Sequence, residues 1–432
     1  MALWLLALND CSISVYRDGQ CVDTSPGIAV VDGKQIYTGN DAAARQHLVP
    51  RGVHSRFWQQ LNETRLVGAS RLFRHHADLA YHHLAAVLER CGHPDEAVVA
   101  VPAHYGNEEL GLLLGICEAL KLKVASFVDL NVAALAACAG PGRFTVADIH
   151  LHHGTLVTVD VDRECARSDV QVLEQCGLQR ITDASVDLIA DAFLEQSRFD
   201  PLHEAEAEQL LHERLPGWLA SAATSPEIEM QIEFHNSRFK ARLAAIEFER
   251  VISMVLAPMA EQVERGRNIL VHERIDALAG ASRLLRSGGT LSSELCARAI
   301  AEHRLALHHE NGPRFVTTMP ATATPTLESR ADADTRTDGQ NPTHVLHNGV
   351  AVPFHRQTIS LSDQGVMHPT MVNGATATLE CLGDGSVLRT DRNDVSVNGS
   401  PVNNSVTLHA GDRIEVGNLR VTVIFVADHS ES

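Results

Sequence analysis

The sequence predicts an α/β body with mixed sheets, followed by a small all-β domain. Three observations point there. Over residues 1–312, short apolar or alternating runs that read as strands take turns with stretches of helical period. Residues 313–342 contain TTMPATATPTLESRADADTRTDGQN, which is rich in Thr, Ala, Pro and Asp and nearly free of large apolar side chains. Such a stretch buries too little surface to fold, so it reads as a flexible linker. Residues 343–428 hold short strands and frequent turns, with no helical period.

Residues 3–8 and 12–17 read as strands joined at Asn9-Asp10-Cys11, and Asp18-Gly19 makes a hairpin turn. Residues 28–38 form a second hairpin around Asp32-Gly33. Leu79, Leu84, Val87 and Leu88 recur at helical spacing, so 77–91 is a helix that Gly92 ends. Residues 97–101 are an apolar strand stopped by Pro102. A helix over 108–120, a strand over 124–128 and a helix over 131–138 follow. Strands at 144–146 and 155–161 flank a His-rich turn. Residues 182–265 read as mostly helical; Glu204, Glu206, Glu208 and Glu213 mark an exposed helix face there. A strand at 269–271 and helices near 276–286 and 292–304 complete the body. In the last domain, turn pairs such as Asn398-Gly399 and Gly411-Asp412 separate short runs, and LRVTVIFV alternates over 419–426, which suggests a β-sandwich.

Asp and Glu outnumber Lys and Arg by 54 to 36, a formal charge of −18. That surface repels phosphate backbones and anionic lipids, so no nucleic-acid partner is expected. No run of 18 apolar residues occurs, so no membrane insertion is expected. The apolar start MALWLLAL lacks a basic leader and reads as a buried strand. Nine scattered cysteines without a C-x-x-C pair read as reduced thiols, in keeping with a cytoplasmic protein. The 24 histidines are the compositional oddity.

The segment AVVAVPAHYGNEELGLLLGICEALKLKVASFVDLNVAALAAC over 97–138 runs strand, V-P-A, helix, strand, then a small-residue helix. It resembles the ATPase domain of DnaK-type heat-shock chaperones, within the two-lobed actin-like fold. The resemblance spans residues 1–312, with lobe I at about 1–144 and lobe II at about 145–312. It implies a cytoplasmic, bacterial protein, and it places Asp129 on the family's catalytic Glu. The family holds ATP on two glycine-rich hairpins, whose bare backbone approaches phosphate closely. Here the first, D-L-G-T-T, falls on Leu6-Ala7-Leu8-Asn9-Asp10, and the second, D-L-G-G-G-T, on His150-Leu151-His152-His153-Gly154-Thr155. The adenosine-side L-V-G-G falls on Leu270-Val271-His272-Glu273. Key Asp and Gly positions are replaced in all three motifs. The resemblance therefore implies a pseudo-ATPase with no bound cofactor. The alternative is an atypical switch binding ATP or ADP with Mg, in which Asp10 or Asp148 organises the metal, Asp129 positions water, and Gly154 and Thr155 contact phosphate.

Val395-Ser396-Val397-Asn398-Gly399 and Leu408-His409-Ala410-Gly411-Asp412-Arg413-Ile414-Glu415-Val416-Gly417 are similar to signatures of the forkhead-associated (FHA) domain, a phosphothreonine reader. Its V-S-R-x-H loop falls on Val366-Met367-His368-Pro369-Thr370, which lacks the Ser, Arg and His. Asn393 falls on a phosphate-reading Asn, beside Asp394, whose charge repels phosphate. The implied module keeps the scaffold and presents His368, Thr370, Asn393 and Asn398 on altered loops.

His150, His152 and His153 form an H-x-H-H group; on a strand, His150 and His152 share a face. With His272 they are either metal or anion ligands or polar filling of a disused cleft, and no full ligand set is visible by spacing. His75, Asp78 and His82 share a helix face, either as ligands or as a solvated surface. Together these features point to a protein-interaction or assembly scaffold whose partner is another protein. A slow ATP-dependent switch is the alternative, and a metal- or pH-responsive protein a minor one.

Overall fold

The computed structural model describes residues 2–66, 69, 73–263, 268–304, 307, 312–322, 326–327, 343–347, 350–354, 359–362, 367–368, 377–382, 385–390, 394–397, 400–402, 404–408, 412–417 and 419–424. The chain is mixed α/β and divides into two compact units, Met1–Arg330 and Ala331–Ser432. Among the described residues, no helix is long and apolar enough to cross a membrane.

The first unit opens with β1 (Trp4–Asn9), β2 (Ser12–Arg17), β3 (Gln20–Pro26), β4 (Ala29–Asp32), β5 (Gln35–Thr38), α1 (Asn40–Ala43) and β6 (Val53–His54). Next come α2 (His76–Arg90), β7 (Glu96–Val101), α3 (Asn107–Ala119), β8 (Lys123–Asp129) and α4 (Leu130–Ala136). Then follow β9 (Gly142–Ile149), β10 (Gly154–Val161), β11 (Glu164–Leu173), α5 (Leu178–Ser197), α6 (Ala205–Thr224), β12 (Glu227–Phe234), β13 (Ser237–Ala244) and α7 (Ala245–Val263). The unit ends with β14 (Ile269–His272), α8 (Glu273–Asp276), α9 (Ala281–Leu284), β15 (Thr290–Leu291), α10 (Ser293–Glu302), β16 (Phe315–Val316) and β17 (Thr318–Pro320).

Two six-stranded sheets follow one plan. The first has the order β16-β8-β7-β1-β2-β3, the second β15-β14-β9-β10-β11-β17. In each, an antiparallel three-strand meander pairs through its first strand with a later parallel strand: β1 with β7, and β9 with β14. Between the sheets lies α4, whose seven residues are all buried. Six of them are apolar, with Asn131 the exception, and a helix so nearly apolar all round belongs inside a core. It packs with Leu5 and Ala100 of the first sheet, Val146 and Leu270 of the second, and Ile300 of α10.

Two stretches differ from the sequence reading. Residues 227–244, inside the span read as helical, form the β12–β13 hairpin. Ile228, Met230 and Ile232 are buried while Glu227 and Glu229 face water, which is strand period. The span read as a linker begins with strands. Phe315–Val316 pairs in parallel with β8, and Thr318–Pro320 pairs with β11. Backbone pairing and burial of Met319 hold this stretch despite its polar composition. Leu327 also bridges to Ala139, while residues 328–342 lie outside the described residues.

The second unit is all-β among its described residues. A six-stranded sheet runs from Val350–Pro353 at one edge to Ser400–Pro401 at the other; a five-stranded sheet runs from Met367–His368 to Ser405–Leu408. Val345, Phe354, Leu361, Leu379, Leu388, Ile414 and Val423 share one buried core. His368 pairs in a strand with Ser360, whereas Thr370, Asn393 and Asn398 lie outside the described residues.

Candidate functional site

The two meanders turn toward one another. Asp10 sits in the β1–β2 turn, where the Asn9 side chain accepts the Cys11 N–H at 2.8 Å and shapes the turn. Gly27 packs against it so closely that an added Cβ would lie 1.9 Å from the Asp10 carbonyl oxygen. Only glycine lets the chain pass there. The β9–β10 turn carries His150, Leu151, His152 and His153. Leu151 N–H donates to Asp10 Oδ1 at 2.6 Å, joining the turns.

The cluster continues through Asp148, His272 and Arg274. His150 lies 3.5 Å from Asp10 and 3.9 Å from Asp148, and His272 lies 4.0 Å from Asp148. Arg274 Nη2 donates to both Asp148 oxygens, at 3.0 and 2.7 Å. Burial pushes the Asp148 carboxyl upward, but Arg274, His272 and His150 together outweigh it and hold the group well below the usual carboxylate range. Burial also works against the Asp10 charge, yet His150 and the Leu151 N–H lower that carboxyl on balance. The three cleft segments named from sequence thus meet in one place.

Asp129 is fully buried and has a second job. It caps α4, accepting from the N–H groups of Asn131 (2.9 Å) and Val132 (3.2 Å). Its other oxygen accepts from Arg167 Nη1 at 2.8 Å. Burial lifts the Asp129 carboxyl above its ordinary value, against the opposing pull of Arg167 and the cap. Arg167 Nη1 also donates to the Ala103 carbonyl, next to His104.

His104 was not singled out from sequence, because its partners lie more than 45 residues away. Its ring stands edge-on to His150 and His153, at 5.2 and 4.5 Å. His150 and His153 stack, with centroids 4.4 Å apart. Burial lowers His104 to about 3 and His153 to about 4, so both are neutral at pH 7. His272 is likewise lowered by burial, to about 3.

Pairing His150 with His152 as ligands on one strand face does not hold. Both lie in the turn, not in a strand, so alternation does not apply. His152 Nε2 instead meets the Ser55 hydroxyl and carbonyl, each at 3.1 Å. The Gly154 position is fixed by packing: an added Cβ would lie 2.4 Å from Met259 Cε and 3.0 Å from Cys176 Cβ. Thr155 is buried, with Oγ1 3.4 Å from His150 Nε2. The first N–H groups of α5 donate to the His150 and Leu151 carbonyls, at 2.9 and 2.8 Å, so they are not free to hold an anion as helix ends do elsewhere. Glu273 points elsewhere and accepts from the backbone and hydroxyl of Ser293.

On α2, Asp78 is taken by the backbone and guanidinium of Arg74, with His75 at 3.7 Å. Glu208, read as part of an exposed face, accepts from His47 at 2.9 Å, and His47 stacks on His212 at 3.6 Å. Sequence spacing hides this group as well, since 161 residues separate His47 from Glu208.

No protein-family model matches the chain, and the search of curated proteins found no match.

Proposed function

We propose that the protein is a non-catalytic interaction or assembly scaffold, built on a degenerate DnaK-like domain of the two-lobed actin-like fold and a degenerate FHA-like sandwich. One observation carries the reading. Two of the three buried carboxylates suited to a metal or an attacking water, Asp148 and Asp129, are each committed to an arginine, at 2.7 and 2.8 Å, and the third, Asp10, holds the Leu151 N–H with one oxygen. A carboxylate so paired has little charge left for Mg²⁺, and the neighbouring turn is filled by imidazoles where phosphate would need bare backbone. The repeated plan of the two sheets supports the actin-like reading. For the C-terminal unit, two sheets around one core support the FHA-like reading. The partner is another protein, in a cytoplasmic setting.

Calorimetric titration of the full chain with Mg-ATP and Mg-ADP tests this. The expected outcome is no saturable binding below millimolar concentration, and saturable binding there overturns the reading. For the C-terminal unit, phosphothreonine-peptide capture that depends on Asn393 overturns the scaffold role.

A second reading, an ATP-binding switch, draws on the convergence of Asp10, Asp148 and Thr155. It requires Arg274 to release Asp148 when nucleotide binds.

A further inference from the structure

His104 follows β7 of the first sheet, while His150 and His153 belong to the β9–β10 turn of the second. One ligating atom of each lies within 4.8 Å of the other two. His150 and His153 are 2% and 1% exposed. Nε2 of His104 and Nδ1 of His153 are buried without a hydrogen-bond partner, and His150 Nδ1 has only Asp10 near it, at 3.5 Å. An unpaired buried polar atom is costly, and two of the three rings in this cluster carry one.

His83 supplies the contrast inside the same unit. Trp58 Nε1 donates to its Nδ1 at 2.9 Å, and Ser25 Oγ lies 2.8 Å from its Nε2. His83 has both nitrogens engaged, whereas His104 and His153 each keep one buried nitrogen without a partner. Asp10 stands beside the cluster, with Oδ2 also buried and unpartnered. Its charge suits a cation.

We infer that His104, His150 and His153 form a site for a zinc-class divalent ion that pins the β9–β10 turn to the segment after β7. Imidazole nitrogens favour zinc and its late first-row neighbours, whereas magnesium takes oxygen donors in an octahedron. Asp10 is a positioning residue: it lies 3.5 Å from His150 Nδ1, in the way carboxylates steady metal-bound imidazoles, and leaves His150 Nε2 as the ligating atom. The planes of His150 and His153 are only 6° apart. An ion cannot lie in both stacked planes, so one of these rings turns when the site loads. His152, engaged by Ser55, stays outside.

The test uses the full chain, stripped with a chelator and titrated with zinc against a chromophoric competitor. Expected are one zinc per chain at this site, a rise in melting temperature, and no such response to magnesium. His104→Gln and His153→Asn abolish the uptake, Asp10→Asn weakens it by roughly 10–100-fold, and His203→Ala leaves it unchanged. A variant that fails to fold binds nothing, so X-ray absorption of the zinc-loaded wild type is measured as well and must report histidine nitrogen donors. No zinc uptake by the folded wild type overturns the inference, as does a donor shell lacking imidazole. Uptake unchanged in both folded variants also overturns it, and directs attention to His47, Glu208 and His212.

Discussion

Asp10 Oδ1 accepts the Leu151 N–H at 2.6 Å, so the first turn of one sheet is tied to the equivalent turn of the other. The bond is part-buried and charge-assisted, which makes it stronger than a neutral one. Asp10→Ala leaves the Leu151 N–H unpaired. We expect a loss of about 1–3 kcal/mol in urea unfolding; an unchanged midpoint would show that the turns are held apart from this bond.

Arg274 compensates the buried Asp148. Arg274→Met strands that charge, and we expect a cost of about 3–5 kcal/mol. Asp148→Asn in the same chain recovers most of it, because the stranded charge is then gone. A double-mutant cycle measures the difference, and additive single effects would contradict the pairing.

Burial lowers His83 from 6.5 to about 3. Between those values the unfolded chain binds a proton that the folded chain refuses. Its contribution is therefore complete above pH 6.5 and is lost as pH falls toward 3, by about 1.4 kcal/mol per pH unit. NMR titration of the His83 ring checks this. No protonation is expected down to pH 5, and a midpoint near 6.5 would refute the buried neutral assignment.

Gly154 has no room for a side chain. Gly154→Ala presses on the flexible end of Met259 and also on Cys176 Cβ and costs about 1 kcal/mol, while Gly154→Val costs about 2–3 kcal/mol. Thermal unfolding ranks the two. Equal melting temperatures would mean that the site relaxes freely.

Local elements were legible wherever a single period ran long enough. The apolar run at 97–101 and the leucine spacing of 77–91 gave strand and helix close to their true ends. The β12–β13 hairpin was missed although Ile228, Met230 and Ile232 alternate, because flanking helical stretches on both sides dominated the reading. The convergence of residues 6–10, 150–155 and 270–273 was legible only through a family resemblance. His104, Arg167 and Arg274 were not legible at all. They act through contacts 38 to 126 residues away along the chain, which no local spacing records.

The short strands at 315–320 have a consequence for the order of assembly. Phe315–Val316 closes an edge of the first sheet and Thr318–Pro320 an edge of the second. On a ribosome these residues emerge after every other strand of both sheets. Until they arrive, the end of β8 and the start of β11 offer unpaired backbone donors and acceptors to any neighbouring chain. A polypeptide cut at residue 312 lacks these pairings with Phe127–Val128 and with Glu164–Ala166, and its expected fate is a greater tendency to aggregate than that of one extended past Leu327.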